Sequence, residues 1–160
     1  MIKKYDRVRA VEYAGRWALA ANPEFYHFGG IGGDCTNFIS QCLLAGGGVM
    51  NYAYPLGWYY NSSSDRSPSW TSVAALHKFL LRTGGGVGPV GKIVGLGEVE
   101  VGDIIQLRQN HTHFNHTVIV TRVSGGKIYV CAHSNDAKDR PLDSYNYLAL
   151  MPIKIVGIEV

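Results

Sequence analysis

Gly32-Gly33-Asp34-Cys35-Thr36-Asn37-Phe38-Ile39-Ser40-Gln41-Cys42-Leu43 is the stretch that decides the fold. Its glycines deliver the chain into a helix whose first turn starts at Cys35. Phe38, Ile39, Cys42 and Leu43 recur at the spacing of one helix face, and Gly46-Gly47-Gly48 stops the run. A helix N-terminus carries partial positive charge and unpaired N–H groups. Both favour thiolate over thiol and lower a cysteine pKa, and the same N–H groups can hold an oxyanion. Spacing alone leaves a second reading open, in which Cys35 is a small apolar residue of a core helix.

Working outward, Asp6 is placed to cap a first helix running to about Ala21. Val8, Val11, Ala14 and Ala18 form its stripe, and Asn22-Pro23 ends it. Residues 61–69 read as a polar loop. Thr71 or Ser72 then opens a short helix that buries Val73, Leu76, Phe79 and Leu80. Residues 84–97 read as a flexible glycine-rich connector without the phosphate-loop pattern. Four β-like runs follow, at 103–107, 116–123, 127–132 and 153–160, with Ser124-Gly125-Gly126 as a hairpin turn. Helices first and strands later is the α+β pattern, and no repeat or boundary divides residues 1–160, so one domain is expected.

Hydrophobic content of 46% with 17% charged residues describes a folded chain rather than a disordered one. A formal charge of +3 without a basic stripe argues against nucleic acid as a partner. The N-terminus MIKKYDRVRA has no apolar run after its charges, so no signal peptide is expected, and no segment reaches the length of a membrane span. The compartment stays open, because the chain also fits a piece of a larger parent protein. Cys35 and Cys42 sit roughly 10 Å apart along one helix, too far for a disulfide, so free thiols are expected.

A thiolate needs a base, and the base needs something to orient it. His116 opens the run His116-Thr117-Val118-Ile119-Val120 and shares a face with Val118 and Val120. A lone histidine there is more often structural. The next run places Tyr129, Cys131, His133 and Asn135 on one face by alternation. A hairpin would bring its end beside His116, where His133 or Asn135 could accept from the imidazole and fix its tautomer.

Asp34-Cys35-Thr36-Asn37-Phe38-Ile39-Ser40-Gln41 resembles the signature of the putative amidase family, a relative of NlpC-type and CHAP peptidases within the papain-like superfamily. The likeness extends through Tyr26-His27-Phe28-Gly29-Gly30, Val101-Gly102-Asp103-Ile104, Asn115-His116-Thr117-Val118-Ile119-Val120 and Ala132-His133-Ser134-Asn135-Asp136, in the family's order. The resemblance implies a papain-like α+β fold, with N-terminal helices packed on an antiparallel sheet. It implies Cys35 as nucleophile and His116 as base in amide hydrolysis, with a cell-wall peptide as substrate and no metal or organic cofactor. His133 is expected to orient His116 and Asn135 to support it. The Cys35 N–H is one expected oxyanion donor, with a second from Tyr26 or the 29–33 loop, Gly33 included. Acyl transfer, or peptide binding without turnover, are the rival outcomes for the same residues.

Other features carry weaker expectations. His111, His113 and His116 count as a metal cluster but lack a matching carboxylate or cysteine pair, so no metal site is expected. Asp34 is read as a helix cap whose charge slightly opposes a Cys35 thiolate. Asn37 either holds the preceding loop or faces solvent. Trp58, Tyr59, Tyr60 and Trp70 are expected to pack, with a substrate-binding wall as the alternative.

Overall fold

The structure is a computed structural model that describes residues 1–29 and 33–160. It is α+β. A seven-stranded antiparallel sheet runs β1 (Ile2–Lys3), β9 (Ala149–Glu159), β5 (Ile104–Arg108), β6 (His116–Ser124), β7 (Lys127–Ala132), β8 (Ala137–Pro141), with β4 (Gly88–Ile93) paired to β9. Ile153 pairs with Ile104 on one side and Ile93 on the other, so β9 sits between β5 and β4. The helices are α1 (Arg7–Trp17), α2 (Cys35–Ala45), α3 (Pro68–Thr71) and α4 (Val73–Leu80), and β2 (Tyr60–Ser62) with β3 (Asp65–Arg66) forms a separate small hairpin.

Asp6 caps α1 by accepting from the Arg9 N–H at 3.0 Å. The helix ends at Trp17 rather than about Ala21. The stretch expected to be a flexible connector contains β4, a strand of mixed small and apolar residues with no clean alternation to announce it. Gly91 belongs there for a physical reason, since a Cβ would meet the Ile153 side chain at 2.7 Å. The β6–β7 hairpin turns through Gly125 and Gly126, both at positive φ (59° and 79°), as its two-residue loop requires.

The two sheet faces bury different sets. Ile104, Ile119, Cys131, Ile153 and Ile155 face the helices and meet Phe38, Ile39, Cys42 and Leu43 of α2. Ile105, Leu107, Val118, Val120, Val130 and Ala132 face the other way and are covered by Leu142 and Tyr145. Each large side chain so enclosed contributes roughly 1.5–3 kcal/mol relative to exposure.

Helix α2 is buried all round from Cys35 to Leu43, which forces its polar residues to find partners inside. Ser40 Oγ donates to the Trp70 carbonyl at 3.0 Å and accepts from Trp58 Nε1 at 3.1 Å. The Tyr13 hydroxyl donates to Gln41 Oε1. Trp58 and Trp70 are fully buried and lie against each other with ring centroids 4.8 Å apart, so these two aromatics pack and lock α2 rather than wall a cleft. A second anchor lies in the Val101-Gly102-Asp103 segment. Buried Asp103 accepts from Arg7 Nη1 at 2.7 Å and from the Ile155 N–H at 2.9 Å, tying α1 to β9.

Candidate active site

A cavity of roughly 320 Å³ opens where α2 and β6 both begin. Gly33, Cys35, Gln109, Asn115, His116, Ser134, Asn135, Arg140, Tyr145 and Asn146 line it. The structure thus brings Cys35, His116, Asn135 and Gly33 to one space. Gly33 has φ +103°, and a Cβ there would press on Ser134 Oγ at 3.2 Å, so glycine is required for the chain to enter α2 beside that serine. Gly30, Ile31 and Gly32, which belong to the expected oxyanion loop, lie outside the described residues.

Cys35 is 8% exposed, its Sγ 3.7 Å from Thr36 Oγ1. Burial raises its pKa above that of a free thiol. Hydrogen bonds from Thr117 and Thr36 oppose the rise, and the Asp34 charge adds to it. Burial therefore works against the lowering expected from the helix N-terminus. His116 is 7% exposed, and burial, with the Arg140 charge behind it, lowers its pKa to about 4. Burial thus favours the neutral form of both groups. The Tyr145 ring centroid lies 5.9 Å from that of His116.

His133 is not beside His116, which corrects the reading of it as the orienting residue. It is 1% exposed on the helix-facing side of the sheet. Its Nε2 donates to the Trp17 carbonyl at 2.7 Å, its Nδ1 lies 2.6 Å from Asp34 Oδ2, and its ring stacks on Phe38 at 4.1 Å. Both ring nitrogens are spent. Burial works to lower the His133 pKa, but the Asp34 hydrogen bond, the Trp17 carbonyl and the Asp34 charge overcome it and raise the value. Asp34 shows the mirror result: burial pushes its carboxyl up, and His133, the Phe28 N–H and Asn37 hold it below the usual carboxylate range. The two form a buried ion pair.

The fault lies in one β-bulge. The hairpin register Ser124↔Lys127, Val123↔Ile128, Arg122↔Tyr129, carried straight on, would set His133 opposite Val118, on the His116 face. At Thr121 the register slips by one, giving Val120↔Val130 and Ile119↔Cys131. A one-residue slip moves every later side chain to the other face. His133 therefore follows Cys131 onto the side of Thr117 and α2. Ser134 and Asn135 re-enter the cavity through left-handed backbone, with φ of 61° and 67°. Non-glycine residues held there cluster at functional sites.

Asp34 occupies the cap position of α2 but makes no capping bond to the helix backbone. Its Oδ1 instead accepts from the Phe28 N–H and from Asn37 Nδ2, each at 2.8 Å. Its own N–H donates to Ser134 Oγ at 2.7 Å. Asn37 is buried. It donates to the Tyr26 carbonyl at 2.9 Å and accepts from Trp70 Nε1 at 2.9 Å, so it holds the preceding loop and does not face solvent. Tyr26 is 46% exposed and is not among the described residues lining the cavity. Arg140, Tyr145, Ser134, Gln109 and Asn146 were not foreseen. They come from an edge strand and turns with no periodicity to mark them.

Among the described residues, His27, Asp34 and His133 have the spacing of metal ligands, their donor atoms lying within 4.8 Å of one another. A proton shared at 2.6 Å between His133 and Asp34 already accounts for the close contact. His111 and His113 lie exposed in a loop organised by Asn110.

Cys35, at the start of α2, and His116, at the start of β6, thus line one cavity. The family profile described as "Putative amidase domain" matches residues 4–156, and the chain belongs to that family. Two Bacillus subtilis proteins are similar. YhbB is 34% identical over 142 residues, covering 86% of this chain and 44% of its own. YjcM is 31% identical over 147 residues, covering 88% of this chain and 33% of its own. Both are named as uncharacterized, and this chain spans less than half the length of either. No solved structure matches the chain. Membership of the family points to amide hydrolysis. No described helix is long and apolar enough to cross a membrane.

Proposed function

We propose that residues 1–160 are one papain-like amidase domain that hydrolyses a peptide amide through Cys35, with His116 as base. The observation that carries this reading is the shared cavity of Cys35, at the first turn of α2, and His116, at the start of β6. His116 takes the Sγ proton as sulfur bonds to the amide carbonyl carbon. The orphan N–H of Cys35, at the first position of α2, is a donor for the developing oxyanion. Collapse breaks the C–N bond while the imidazolium protonates the leaving amine, and water, deprotonated by His116, hydrolyses the thioester. Burial keeps the imidazole neutral, so its free lone pair receives the proton as the sulfur–carbon bond forms. Of the two candidates for the orienting role, Asn135 is the one that lines the cavity. A bacterial cell-wall peptide is the substrate class we favour, on the motif resemblance alone, and the domain would act within a longer protein.

The test is iodoacetamide labelling against pH, with the alkylated cysteine located by peptide mapping and His116→Ala as control. Labelling of Cys35 that exceeds a free thiol's at pH 7 and falls at least tenfold in the variant supports general-base activation. The raised thiol pKa favours one second reading, a peptide-binding module without turnover. Slow labelling at Cys35 that is indifferent to His116 would remove the catalytic assignment and put that module first.

A further inference from the structure

Among the described residues that line the cavity, Arg140 is the one cationic side chain and none is an aspartate or glutamate. His116, held neutral, adds no charge at pH 7. The guanidinium lies 3.7 Å over the Tyr145 ring. Its Nε donates to Ser144 Oγ at 2.9 Å and its Nη2 to the Ser144 carbonyl at 3.1 Å. Those two bonds fix the plane of the group, and among the described residues no carboxylate lies within ion-pair distance of it. Neighbouring acids are engaged elsewhere, Asp139 with Arg122 and Asp143 with Lys127. Three of the five guanidinium N–H groups thus remain for a ligand. The Tyr145 hydroxyl, at the same wall, is buried beside that guanidinium, which works against the rise that burial gives its pKa.

An oriented, half-buried arginine without a counter-ion, in a cavity of neutral amides and hydroxyls, is built to receive an anion. We propose that the amide substrate carries a free carboxylate close to its scissile bond and that Arg140 binds it. This rests on Cys35 being the nucleophile of the same cavity. Arg140 lies on the Tyr145 ring, that ring lies 5.9 Å from His116, and all three line with Cys35 a cavity of roughly 320 Å³, a space that suits a carboxylate and a neighbouring amide. Bound charge also offsets the Arg140 field that works against protonation of His116.

The test compares iodoacetate with iodoacetamide, one anionic and one neutral, as alkylating agents for Cys35 at pH 7.5 and low salt. The readout is the ratio of the two rates divided by the same ratio for N-acetylcysteine, so a general change in thiol reactivity cancels. We expect a ratio about tenfold or more above the free thiol, the size of one charge-assisted hydrogen bond. Arg140→Gln should return it to the free-thiol value, and Arg140→Lys should keep part of it. A wild-type ratio equal to that of the free thiol, or a preference that survives Arg140→Gln, overturns the assignment of Arg140 while leaving Cys35 as nucleophile. If Cys35 is inert to both reagents the nucleophile reading fails. A ¹⁵N-detected titration with N-acetylglycine against N-acetylglycinamide then decides Arg140 on its own. Shifts of the Arg140 side chain with the acid alone retain the carboxylate site, and no shift removes it.

Discussion

Replacing His133 with glutamine separates a buried structural ion pair from a catalytic histidine. In the native chain His133 and Asp34 are each 1% exposed and meet at 2.6 Å. Glutamine leaves the Asp34 carboxylate buried, with two donors kept (the Phe28 N–H and Asn37) and its cation gone. Breaking a buried pair by removing one partner costs about 3–5 kcal/mol, and the two surviving donors argue for the lower end. Loss of the Phe38 stack adds up to about 1 kcal/mol. The expected total is about 3–4 kcal/mol, or roughly 10 °C in Tm for a chain of this size. Urea unfolding at a series of pH values is the assay. The His133 pKa is raised, so its contribution is full below its unfolded value near 6.5 and is lost as pH rises through the folded value. The Asp34 pKa is lowered, so its contribution is lost only as pH falls below about 3.8. The penalty of His133→Gln should therefore be largest near pH 6 and shrink toward pH 9. A loss under about 1 kcal/mol at pH 6, or one that does not change between pH 6 and 9, would refute the ion pair.

Two further substitutions test how the site is held. Gly33→Ala puts a Cβ at φ +103° and 3.2 Å from Ser134 Oγ. It should cost about 1–2 kcal/mol in urea unfolding and slow Cys35 alkylation, because the entry into α2 must shift. Asp103→Asn weakens the Arg7 contact of 2.7 Å, while Arg7 keeps its bonds to the Val101 and Ile155 carbonyls. It should cost about 2–3 kcal/mol in the same assay and leave the Cys35 alkylation rate at 20 °C unchanged, since none of these groups lines the cavity.

Local patterns announced the two elements that open onto the cavity, and a non-local detail decided what lay beside them. The glycine-to-helix transition at Cys35 and the alternation at His116 are written in short stretches, so both side chains could be assigned to element starts. The α+β order followed from the same periodicities. His133 could not be placed that way. Tyr129, Cys131 and His133 do share a face, as alternation requires, but which face they share depends on pairing with β6, and that pairing slips at Thr121. A bulge adds one residue to one strand and leaves composition and alternation on either side unchanged. The slip moves His133 under α2, where it neutralises Asp34 and fixes the residue just before Cys35. It also hands the cavity wall to Ser134, Asn135 and, from the next strand, Arg140. The two consequences belong together. One histidine braces the helix, and the cavity is lined, among the described residues, by neutral side chains and a single cation, the lining on which the proposed carboxylate site rests.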